Sequence, residues 1–585
     1  MNFLAGKHVL VLGLGVSGMA LARWCARCGA QVSVADTRAA PPQLQALRDA
    51  LPTVAFVQSE MNADLFSSAA FDLVVKSPGL SPASVAGVID AAQARGIACG
   101  NELSLFAQAL ADLKHDRAYA PKVIGITGTN GKTTVTSLTG KLIFKAGKSV
   151  VVAGNIGPSL LDTLGEKLDA ALLAQAAAAQ AELQDALDAQ VAQAADIKAI
   201  APADAGTQEQ HGDIEEDEVD ENATAEAQDE FDSALVPVTP PLAELPLLCA
   251  LPALPTMPEV WVLELSSFQL DGVSNFEPTV ATVLNVTQDH LDWHGTFAAY
   301  VAAKSRIYGK GLMLLNRDDA LVMAALPQPA PVTKGKQPAT RPFITFGSDV
   351  PRRPGDYGIE TVNGMAWLVR AAVADETIKR RRDEDVVLHI QRLMPLDALR
   401  IYGRHNATNA LAAIGLAVAA GCSLAPMLHG LRDYRGEPHR VASVGVINEI
   451  EYFDDSKGTN VGATVAALTG LGADRKLVLI LGGEGKGQDF SPLAEPVSRY
   501  ARAVVLMGRD AALIRGALQD TSAELFDVAS MQDAVHKATQ LARPGDAVLM
   551  SPACASFDMF ENYAHRAQVF CEAVQALALE EGLVL

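Results

Sequence analysis

One stretch, residues 122–134 (KVIGITGTNGKTT), constrains the fold of this chain more than any other part of the sequence. It opens with an apolar run at 123–126, which predicts a buried strand, and it leads into a helical pattern that ends near Gly147. A glycine turn between a strand and a helix presents backbone N–H groups to a phosphate, while its lysine contacts the outer phosphates and its threonine binds Mg²⁺. The stretch therefore predicts a nucleoside-triphosphate site. Its residues are Gly128, Thr129, Asn130, Gly131, Lys132, Thr133 and Thr134.

A second glycine motif lies near the start of the chain. Residues 8–12 predict a strand, and GLGVSG at 13–18 opens a helix that runs to about Arg27. The next predicted strand, 31–35, is followed by Asp36, at the position where an acid that binds a ribose is expected. This pattern predicts a Rossmann-like unit that binds a dinucleotide or a nucleotide diphosphate.

Polar side chains follow two predicted strands of the central region. Glu264 lies at the end of an apolar strand, where an unpaired carboxylate is costly, so a partner cation such as Mg²⁺ or a salt bridge is expected. The strand predicted at 280–286 leads into TQDHLD, which contains His290. Ligands bind at the carboxyl ends of strands in open α/β sheets. On these residues alone, His290 is either a metal ligand or an ordinary loop histidine.

The length of 585 residues exceeds what one hydrophobic core supports, so several domains are expected. We predict an α/β protein with a Rossmann-like domain at 1–106, a central P-loop ATPase-type domain at 107–436 and a Rossmann-like C-terminal domain at 437–585. Three strand ends in the last domain turn into polar or glycine-bearing loops. They lie at 453–460, 482–489 and 549–560 and predict a second binding site.

The negative charge of the chain is concentrated in one segment. The formal net charge is −21, and residues 168–258 carry 19 Asp and Glu against one Lys, a net −18. Residues 209–232 are acidic and 236–258 are rich in proline, and neither stretch has a usable hydrophobic period. We therefore predict that 168–258 is a low-complexity insertion in the central domain, disordered because of its composition.

Composition also excludes several classes of protein. The sequence has no basic patch with interleaved aromatics, so nucleic acid is not an expected partner. It has no apolar run of transmembrane length, so no membrane insertion is expected. Seven cysteines in so long a chain do not predict a disulfide framework. Together these features predict a cytoplasmic protein.

With these motifs established, the chain resembles the Mur ligases of bacterial cell-wall synthesis. The resemblance is carried by TGTNGKTT at 127–134, GNIG at 154–157, ELSSFQL at 264–270, DHLD at 289–292, AAKSRIY at 302–308 and GRHNATNALAA at 403–413. Three C-terminal motifs look like those of the members that add D-glutamate. They are DDSKGTN at 454–460, GGEGKGQD at 482–489 and SPACASFDMF at 551–560. The chain departs from the common pattern at Gly458, at Tyr563 and in the insertion.

The resemblance implies an activity and a set of site residues. It implies an ATP-dependent amide ligase that adds D-glutamate to UDP-N-acetylmuramoyl-L-alanine through an acyl phosphate, with ATP and two Mg²⁺ ions. We expect the protein to be a monomer. Residues implied to bind the UDP-sugar are Val16, Ser17, Asp36, Thr37, Arg38, Gly79 and Asn155. Besides the P-loop, those implied to hold ATP are Asn406, Asn409, Arg440 and Asp455. The implied D-glutamate pocket contains Lys457, Thr459, Lys486, Ser556 and Tyr563.

The same resemblance implies the catalytic residues Lys132, Glu264, His290 and Lys304. Mg²⁺ is expected on Thr133, Glu264, His290 and Lys304, with Lys304 carbamylated by CO₂. A free ammonium beside a divalent cation is repelled, whereas a carbamate offers the oxygen ligands that Mg²⁺ prefers. Without the resemblance, Lys304 also fits a surface lysine on an amphipathic helix.

Three alternatives remain at this point. One is another amide ligase of the same superfamily, adding L-alanine, a diamino acid or glutamate on folate. Another is a nucleotide-dependent oxidoreductase, which only the N-terminal glycine motif at 13–18 supports. The last is a non-catalytic scaffold that binds basic partners through the acidic segment.

Overall fold

Three α/β sheets, each flanked by helices, organise the chain from the N-terminus to the C-terminus, and a fourth, small antiparallel sheet belongs to the central domain. The computed structural model describes residues 3–67, 69–199, 254–327, 341–374, 387–401, 403–473 and 475–583. Each of the three α/β sheets coincides with one of the three predicted α/β regions, and the predicted fold class is confirmed.

The N-terminal domain contains a five-stranded parallel sheet in the order β3-β2-β1-β4-β5. Its strands are β1 (His8–Leu12), β2 (Gln31–Asp36), β3 (Ala55–Gln58), β4 (Leu73–Lys76) and β5 (Ala98–Asn101). Its helices are α1 (Val16–Arg27), α2 (Leu44–Ala50), α3 (Pro82–Ala94) and α4 (Glu102–Arg117). The turn between β1 and α1 requires glycine, because a Cβ at Gly18 would lie 1.9 Å from the Gly13 carbonyl oxygen.

The central domain contains a six-stranded parallel sheet in the order β11-β10-β9-β6-β8-β7. Its strands are β6 (Lys122–Thr127), β7 (Val150–Gly154), β8 (Val260–Glu264), β9 (Val280–Val283), β10 (Leu312–Asn316) and β11 (Phe343–Phe346). Its helices include α5 (Lys132–Lys145), α6 (Leu160–Ala199), α7 (Ser267–Leu270), α8 (Leu291–His294), α9 (Phe297–Ser305) and α10 (Ala320–Met323).

A small antiparallel sheet completes the central domain. It contains β12 (Tyr357–Val362), β13 (Met365–Val373) and β14 (Leu388–Pro395), and it is followed by α11 (Arg404–Ala419) and α12 (Leu424–Arg432). Helix α11 is apolar on most of its surface and packs with α5 in the core on one face of the six-stranded sheet. This packing places the first turn of α11 beside the P-loop.

The C-terminal domain contains a six-stranded sheet in the order β15-β16-β20-β17-β18-β19, in which only β15 is antiparallel. The strands are β15 (Ala442–Ile447), β16 (Ile450–Asp454), β17 (Leu477–Gly482), β18 (Ala501–Met507), β19 (Glu524–Asp527) and β20 (Ala547–Met550). The helices are α13 (Val461–Gly472), α14 (Ala494–Tyr500), α15 (Ala511–Leu518), α16 (Met531–Leu541) and α17 (Tyr563–Glu580).

The structure corrects the expected start and end of the insertion at 168–258. Helix α6 does not stop near 168 but continues to Ala199, and Leu168 and Ala171 are fully buried against the core. Leu254 and Met257, at the other end, are buried in the same cluster. Alanine, glutamine and leucine favour helix, and the buried first turns nucleate it, which explains its persistence. The acidic stretch 209–232 lies outside the described residues, as does 236–253.

The domains are joined by specific side-chain contacts. The N-terminal and central domains share a core in which Phe106 of α4 packs edge-on against Trp261 of β8. Asn101 Nδ2 donates to the carbonyl of Gln269 at 2.9 Å, across the same junction. On the other side, Arg440 of the C-terminal domain donates to Thr133 of the P-loop at 2.9 Å. In the part of the chain that the structure describes, no helix is long and apolar enough to cross a membrane.

Candidate active site

The P-loop connects the carboxyl end of β6 to the N-terminus of α5, as the sequence predicts. Gly128 and Gly131 have φ values of 158° and 82°, in the region that favours glycine. A Cβ at Gly131 would lie 2.8 Å from Asn409 Oδ1, so the glycine also allows α11 to approach the loop. Lys132 Nζ donates to the carbonyls of Gly128 and Thr129, both at 2.9 Å. Burial lowers the pKa of Lys132 below its ordinary value.

Glu264, at the end of β8, presents a carboxylate beside the P-loop. Its side chain is 2% exposed, and its Oε1 accepts a hydrogen bond from Asn155 Nδ2 at 2.9 Å. Its Oε2 is buried and has no hydrogen-bond partner among the described residues. An unpaired buried carboxylate oxygen is costly, and a bound cation would satisfy it. The residues present therefore fit a hard cation such as Mg²⁺ at this position.

His290 lies on the loop that precedes α8. Its φ of 54° is left-handed, and its ring packs against Phe268 with centroids 4.7 Å apart. Its Nε2 lies 3.6 Å from Asp289 Oδ2. Burial is the main cause that lowers the pKa of His290, which favours the neutral ring that a metal requires. No group of three His, Cys, Asp or Glu side chains converges on a metal position anywhere in the described ranges. A metal site here would need Thr133 and Lys304 as well.

Lys304 of α9 is buried beside Lys132. It is 2% exposed, and its Nζ donates to the Gly128 carbonyl at 2.9 Å, the same oxygen that Lys132 contacts. The ammonium also lies 4.6 Å from the centre of the Tyr300 ring. Burial, reinforced by the charge of Lys132, lowers the pKa of Lys304 well below its usual value. A buried lysine with a lowered pKa carries a larger share of neutral, nucleophilic amine.

A cleft of about 870 Å³, open to solvent, lies between the P-loop, α11 and the C-terminal domain. It brings together most of the residues predicted to hold the nucleotide, namely Asn130, Gly131, Thr134, Asn406, Asn409, Arg440 and Asp455. Residues that the sequence argument missed also line it, among them Asn285, Asn316, Phe346 and His405. The position of Asn316 at the end of β10 could have indicated it, because ligands bind at strand carboxyl ends.

Asp455 is the main acid of this cleft. It is 6% exposed, and Ser551 Oγ donates to its Oδ2 at 2.6 Å. Burial raises the pKa of Asp455 to about 7, while Arg440 opposes the shift. A Cβ at Gly458 would lie 2.6 Å from Asp455 Oδ2. Glycine at 458 therefore leaves room for this carboxylate.

Four of the five predicted D-glutamate residues lie on three loops at one edge of the C-terminal sheet, and Tyr563 is the first residue of α17. The loops at 482–489 and 551–560 are joined by paired hydrogen bonds between the backbones of Glu484 and Ala555. Gln488 Oε1 accepts from Val461 N at 3.0 Å and ties the second loop to the segment containing Thr459. The Lys457 ammonium lies 5.3 Å from the centre of the Tyr563 ring.

Lys486 and Ser556 complete this predicted set. The Lys486 ammonium lies 5.9 Å from the centre of the Phe557 ring, next in the chain to the buried Ser556. The five predicted residues span more than 100 positions of the sequence, from Lys457 to Tyr563.

The predicted UDP-sugar residues are grouped at the carboxyl edge of the first sheet, with one exception. Asp36, at the end of β2, accepts hydrogen bonds from Leu14 N at 2.8 Å and from the Arg38 guanidinium. These hydrogen bonds lower its pKa to about 2. The remaining members of this edge are Val16, Ser17 and Thr37, together with Gly79 after β4. Asn155 is bound to Glu264 of the second sheet instead.

Comparison with known proteins gives three family matches in chain order. Residues 7–100 match the model of the Mur ligase MurD-like N-terminal domain, 240–417 match the Mur ligase middle domain, and 439–554 match the Mur ligase glutamate ligase domain.

Curated relatives match along their full length. UDP-N-acetylmuramoylalanine--D-glutamate ligase of Albidiferax ferrireducens is 56% identical over 583 residues, covering 100% of this chain and 98% of the relative. Proteins of the same name from Polaromonas sp. and Ralstonia nicotianae are 52% and 47% identical. The alignments cover 100% of this chain in both cases, and 100% and 99% of the two relatives.

Proposed function

Since the chain belongs to the Mur ligase family, we propose that it joins D-glutamate to UDP-N-acetylmuramoyl-L-alanine by an amide bond, in peptidoglycan precursor synthesis. The relatives that carry this activity in their name match the chain from end to end at 47–56% identity. The observation in the structure that best supports a ligase is the contact of Arg440 with Thr133. It closes the nucleotide cleft between the P-loop and the domain that carries the predicted D-glutamate pocket.

ATP is the phosphoryl donor in this proposal. The P-loop backbone and the N-terminus of α5 cradle its phosphates, and Lys132 faces the outer ones. Asn406 and Asn409 on α11, with Arg440 and Asp455 on the opposite domain, hold the rest of the nucleotide in the cleft. Phosphoryl transfer is accelerated chiefly by positioned charge. The cationic side chains of Lys132 and Arg440 therefore stabilise the negative charge that develops on the transferred phosphoryl group.

Thr133, Glu264, His290 and carbamylated Lys304 are the residues that would hold Mg²⁺. Bound Mg²⁺ supplies charge neutralisation at the phosphates. The unpaired Oε2 of Glu264 supports this assignment, as does the position of Lys304 beside the P-loop. As the structure stands, Thr133 Oγ1 accepts from Arg440, so the guanidinium must move or share the hydroxyl when a metal is held there.

The carboxylate of the L-alanyl group attacks the γ-phosphate of ATP in the first step, which gives an acyl phosphate and ADP. The amine of D-glutamate then attacks the acyl carbon, and phosphate leaves. Val16, Ser17, Asp36, Thr37, Arg38, Gly79 and Asn155 orient the UDP-sugar. Lys457, Thr459, Lys486, Ser556 and Tyr563 orient D-glutamate, whose two carboxylates need cationic partners such as Lys457 and Lys486.

An assay of ATP-dependent phosphate release tests this proposal. The full-length protein is supplied with UDP-N-acetylmuramoyl-L-alanine, Mg²⁺ and one of a panel of amino acids. We expect release with D-glutamate and little with L-alanine, L-glutamate or a diamino acid. Activity with an L-amino acid in place of D-glutamate would overturn the specificity. We further propose a cytoplasmic monomer, which sedimentation and cell fractionation check.

A further inference from the structure

His439 and Asp454 form a tight pair at the edge of the D-glutamate pocket, and the reaction described above gives neither of them a role. His439 Nδ1 lies 2.6 Å from Asp454 Oδ2, and the Asp454 side chain is 3% exposed. The other carboxylate oxygen accepts from Ser456 N at 2.9 Å and from Ser456 Oγ at 2.6 Å. Asp454 is therefore fixed in orientation, and it accepts the Nδ1 proton of the imidazole.

The second ring nitrogen of His439 is available. None of the residues that the structure describes hydrogen-bonds Nε2, and the side chain is 32% exposed. A carboxylate that holds the Nδ1 proton leaves the lone pair on Nε2, which is the arrangement of a general base. The pair is thus oriented like a catalytic dyad, whereas a structural histidine would be buried with both ring nitrogens hydrogen-bonded.

The ring is placed beside the pocket by its neighbours. The centroids of the His439 and Tyr563 rings are 6.1 Å apart, and the Lys457 ammonium lies 5.3 Å from the centre of the same tyrosine ring. Lys457 N donates to the His439 carbonyl at 3.2 Å. His439 has a left-handed φ of 63°, which L side chains rarely adopt. The fold maintains this backbone conformation next to two residues of the proposed D-glutamate pocket.

The proposed reaction requires a base for the amine of D-glutamate. Free D-glutamate carries an ammonium group near neutral pH, and an ammonium has no lone pair with which to attack a carbonyl carbon. We propose that His439, oriented by Asp454, is the base that removes a proton from the D-glutamate ammonium. The inference rests on the proposed function and adds a catalytic residue to it.

The proton and electron balance is complete without a further reagent. Nε2 of His439 accepts one proton from the ammonium, and the amine lone pair forms the C–N bond to the acyl carbon. Collapse of the tetrahedral adduct breaks the C–O bond to phosphate, and the leaving phosphate carries away the second amine proton as hydrogen phosphate. The imidazolium returns its proton to solvent through its exposed edge.

Charged and titratable groups surround the dyad from every element packed on it. They are Arg440, Asp455, Lys457, Tyr563, Arg566 and Cys571.

The test compares two nucleophiles on full-length His439→Gln. With D-glutamate at pH 7.5 we expect kcat to fall about 100-fold, the usual size of a general-base contribution. The loss should shrink by about tenfold for each unit of added pH, because the share of free amine rises by that factor. Hydroxylamine is uncharged at pH 7.5 and needs no base, so its ATP-dependent conversion to hydroxamate should remain within about twofold of wild type.

Controls separate this role from a structural one. His536→Gln changes an exposed histidine on α16 and should match wild type in both reactions. Asp454→Asn keeps the imidazole and should give a smaller loss with the same recovery at high pH. Normal D-glutamate turnover by His439→Gln would overturn the assignment, and so would equal losses with both nucleophiles. A wild-type protein without D-glutamate-dependent product would instead overturn the proposed function, and the assignment with it.

Discussion

At the scale of single residues, two lysines that share one carbonyl oxygen, Lys304 buried and Lys132 half-buried, dominate the candidate site. Lys132 and Lys304 both donate to the Gly128 carbonyl at 2.9 Å, and desolvation lowers the pKa of each. Two cations so close repel each other, and one neutral amine relieves the repulsion. Lys304 is the better candidate for the neutral form, because the charge of Lys132 adds to the effect of its burial.

Replacing Lys304 tests whether it acts as a carbamate. Lys304→Ala should be nearly inactive and should recover part of its activity in millimolar acetate or formate, which place a carboxylate in the vacated space. Lys304→Arg should stay inactive, since it keeps the positive charge. Lys310→Ala, which changes a side chain 90% exposed, is the matched control and should behave as wild type in steady-state assays. Full activity of Lys304→Arg would contradict the carbamate.

Lys486 is the second residue-scale prediction. A charge-assisted hydrogen bond from Lys486 to a D-glutamate carboxylate contributes about 1.5–3 kcal/mol. Lys486→Ala should therefore raise KM for D-glutamate by about 10- to 150-fold, with KM for ATP nearly unchanged.

A matched control exists in the same domain. Lys537 lies over the ring of Phe526 at 4.3 Å, as Lys486 lies over Phe557, but outside the pocket. Lys537→Ala should leave both constants at wild-type values. Equal increases in the two constants for Lys486→Ala would assign Lys486 to the nucleotide or to folding.

At the scale of elements, helix α6 combines a packed half with an exposed half. Its first turns bury Leu160, Leu164 and Leu168 between the first two sheets, and further along Leu183 is 72% exposed. At 1.5 Å per residue its 40 residues extend about 60 Å. Its length thus comes from propensity, whereas among the side chains that the structure describes its attachment to the core comes from the N-terminal half.

The same substitution at two positions of α6 separates these contributions. Leu168→Ala should lower the free energy of unfolding by about 2–5 kcal/mol, because it leaves a cavity between packed layers. Leu183→Ala should change it by no more than about 0.5 kcal/mol, since alanine keeps the helix and loses no buried contact. Guanidinium denaturation followed by circular dichroism measures both. Similar destabilisation by the two variants would mean that residue 183 is covered in solution.

At the scale of the whole molecule, the central and C-terminal domains meet where a glycine of α13 leaves the helix surface without a side chain. The His405 ring of α11 packs against Gly470 of α13, where a Cβ would lie 2.7 Å from Nδ1. Burial lowers the pKa of His405 to about 4, so the ring is neutral in this position at physiological pH. Asn130 and Asn460 exchange weak hydrogen bonds at 3.3 and 3.5 Å across the same junction. The nucleotide cleft exists only because these surfaces approach closely.

Gly470→Ala tests whether that approach is needed for activity. The added methyl group stabilises α13 as a helix by about 1 kcal/mol but collides with His405 when the domains are closed. We expect an unchanged or higher Tm together with a raised KM for ATP and a lower kcat. Gly516→Ala, in α15 with open space around it, should show the gain in Tm without the kinetic loss. Wild-type kinetics for Gly470→Ala would show that closure tolerates the extra atom.

Local physical rules are enough to predict much of this protein from its sequence. Phosphate cradles need glycines at fixed spacing between a strand and a helix, and ligands gather at strand ends, so the P-loop, β1–α1 and the C-terminal loops could be located in advance. The three α/β domains follow from the same alternation of strands and helices. The Ala/Gln-rich composition at about 170–195 favours helix by propensity, but the attachment of α6 to the core could not be predicted, because its first turns depend on the layers that bury them.

Only the tertiary structure decided which of these residues meet. The shared carbonyl of Lys132 and Lys304 joins segments more than 170 residues apart, and the His439–Asp454 pair depends on how β16 lies beside the preceding loop. Burial and distance set the pKa of Asp455 and leave Oε2 of Glu264 without a hydrogen-bond partner among the residues that the structure describes. Desolvation and Coulomb energies depend on the complete surroundings of a group, which sequence spacing does not contain.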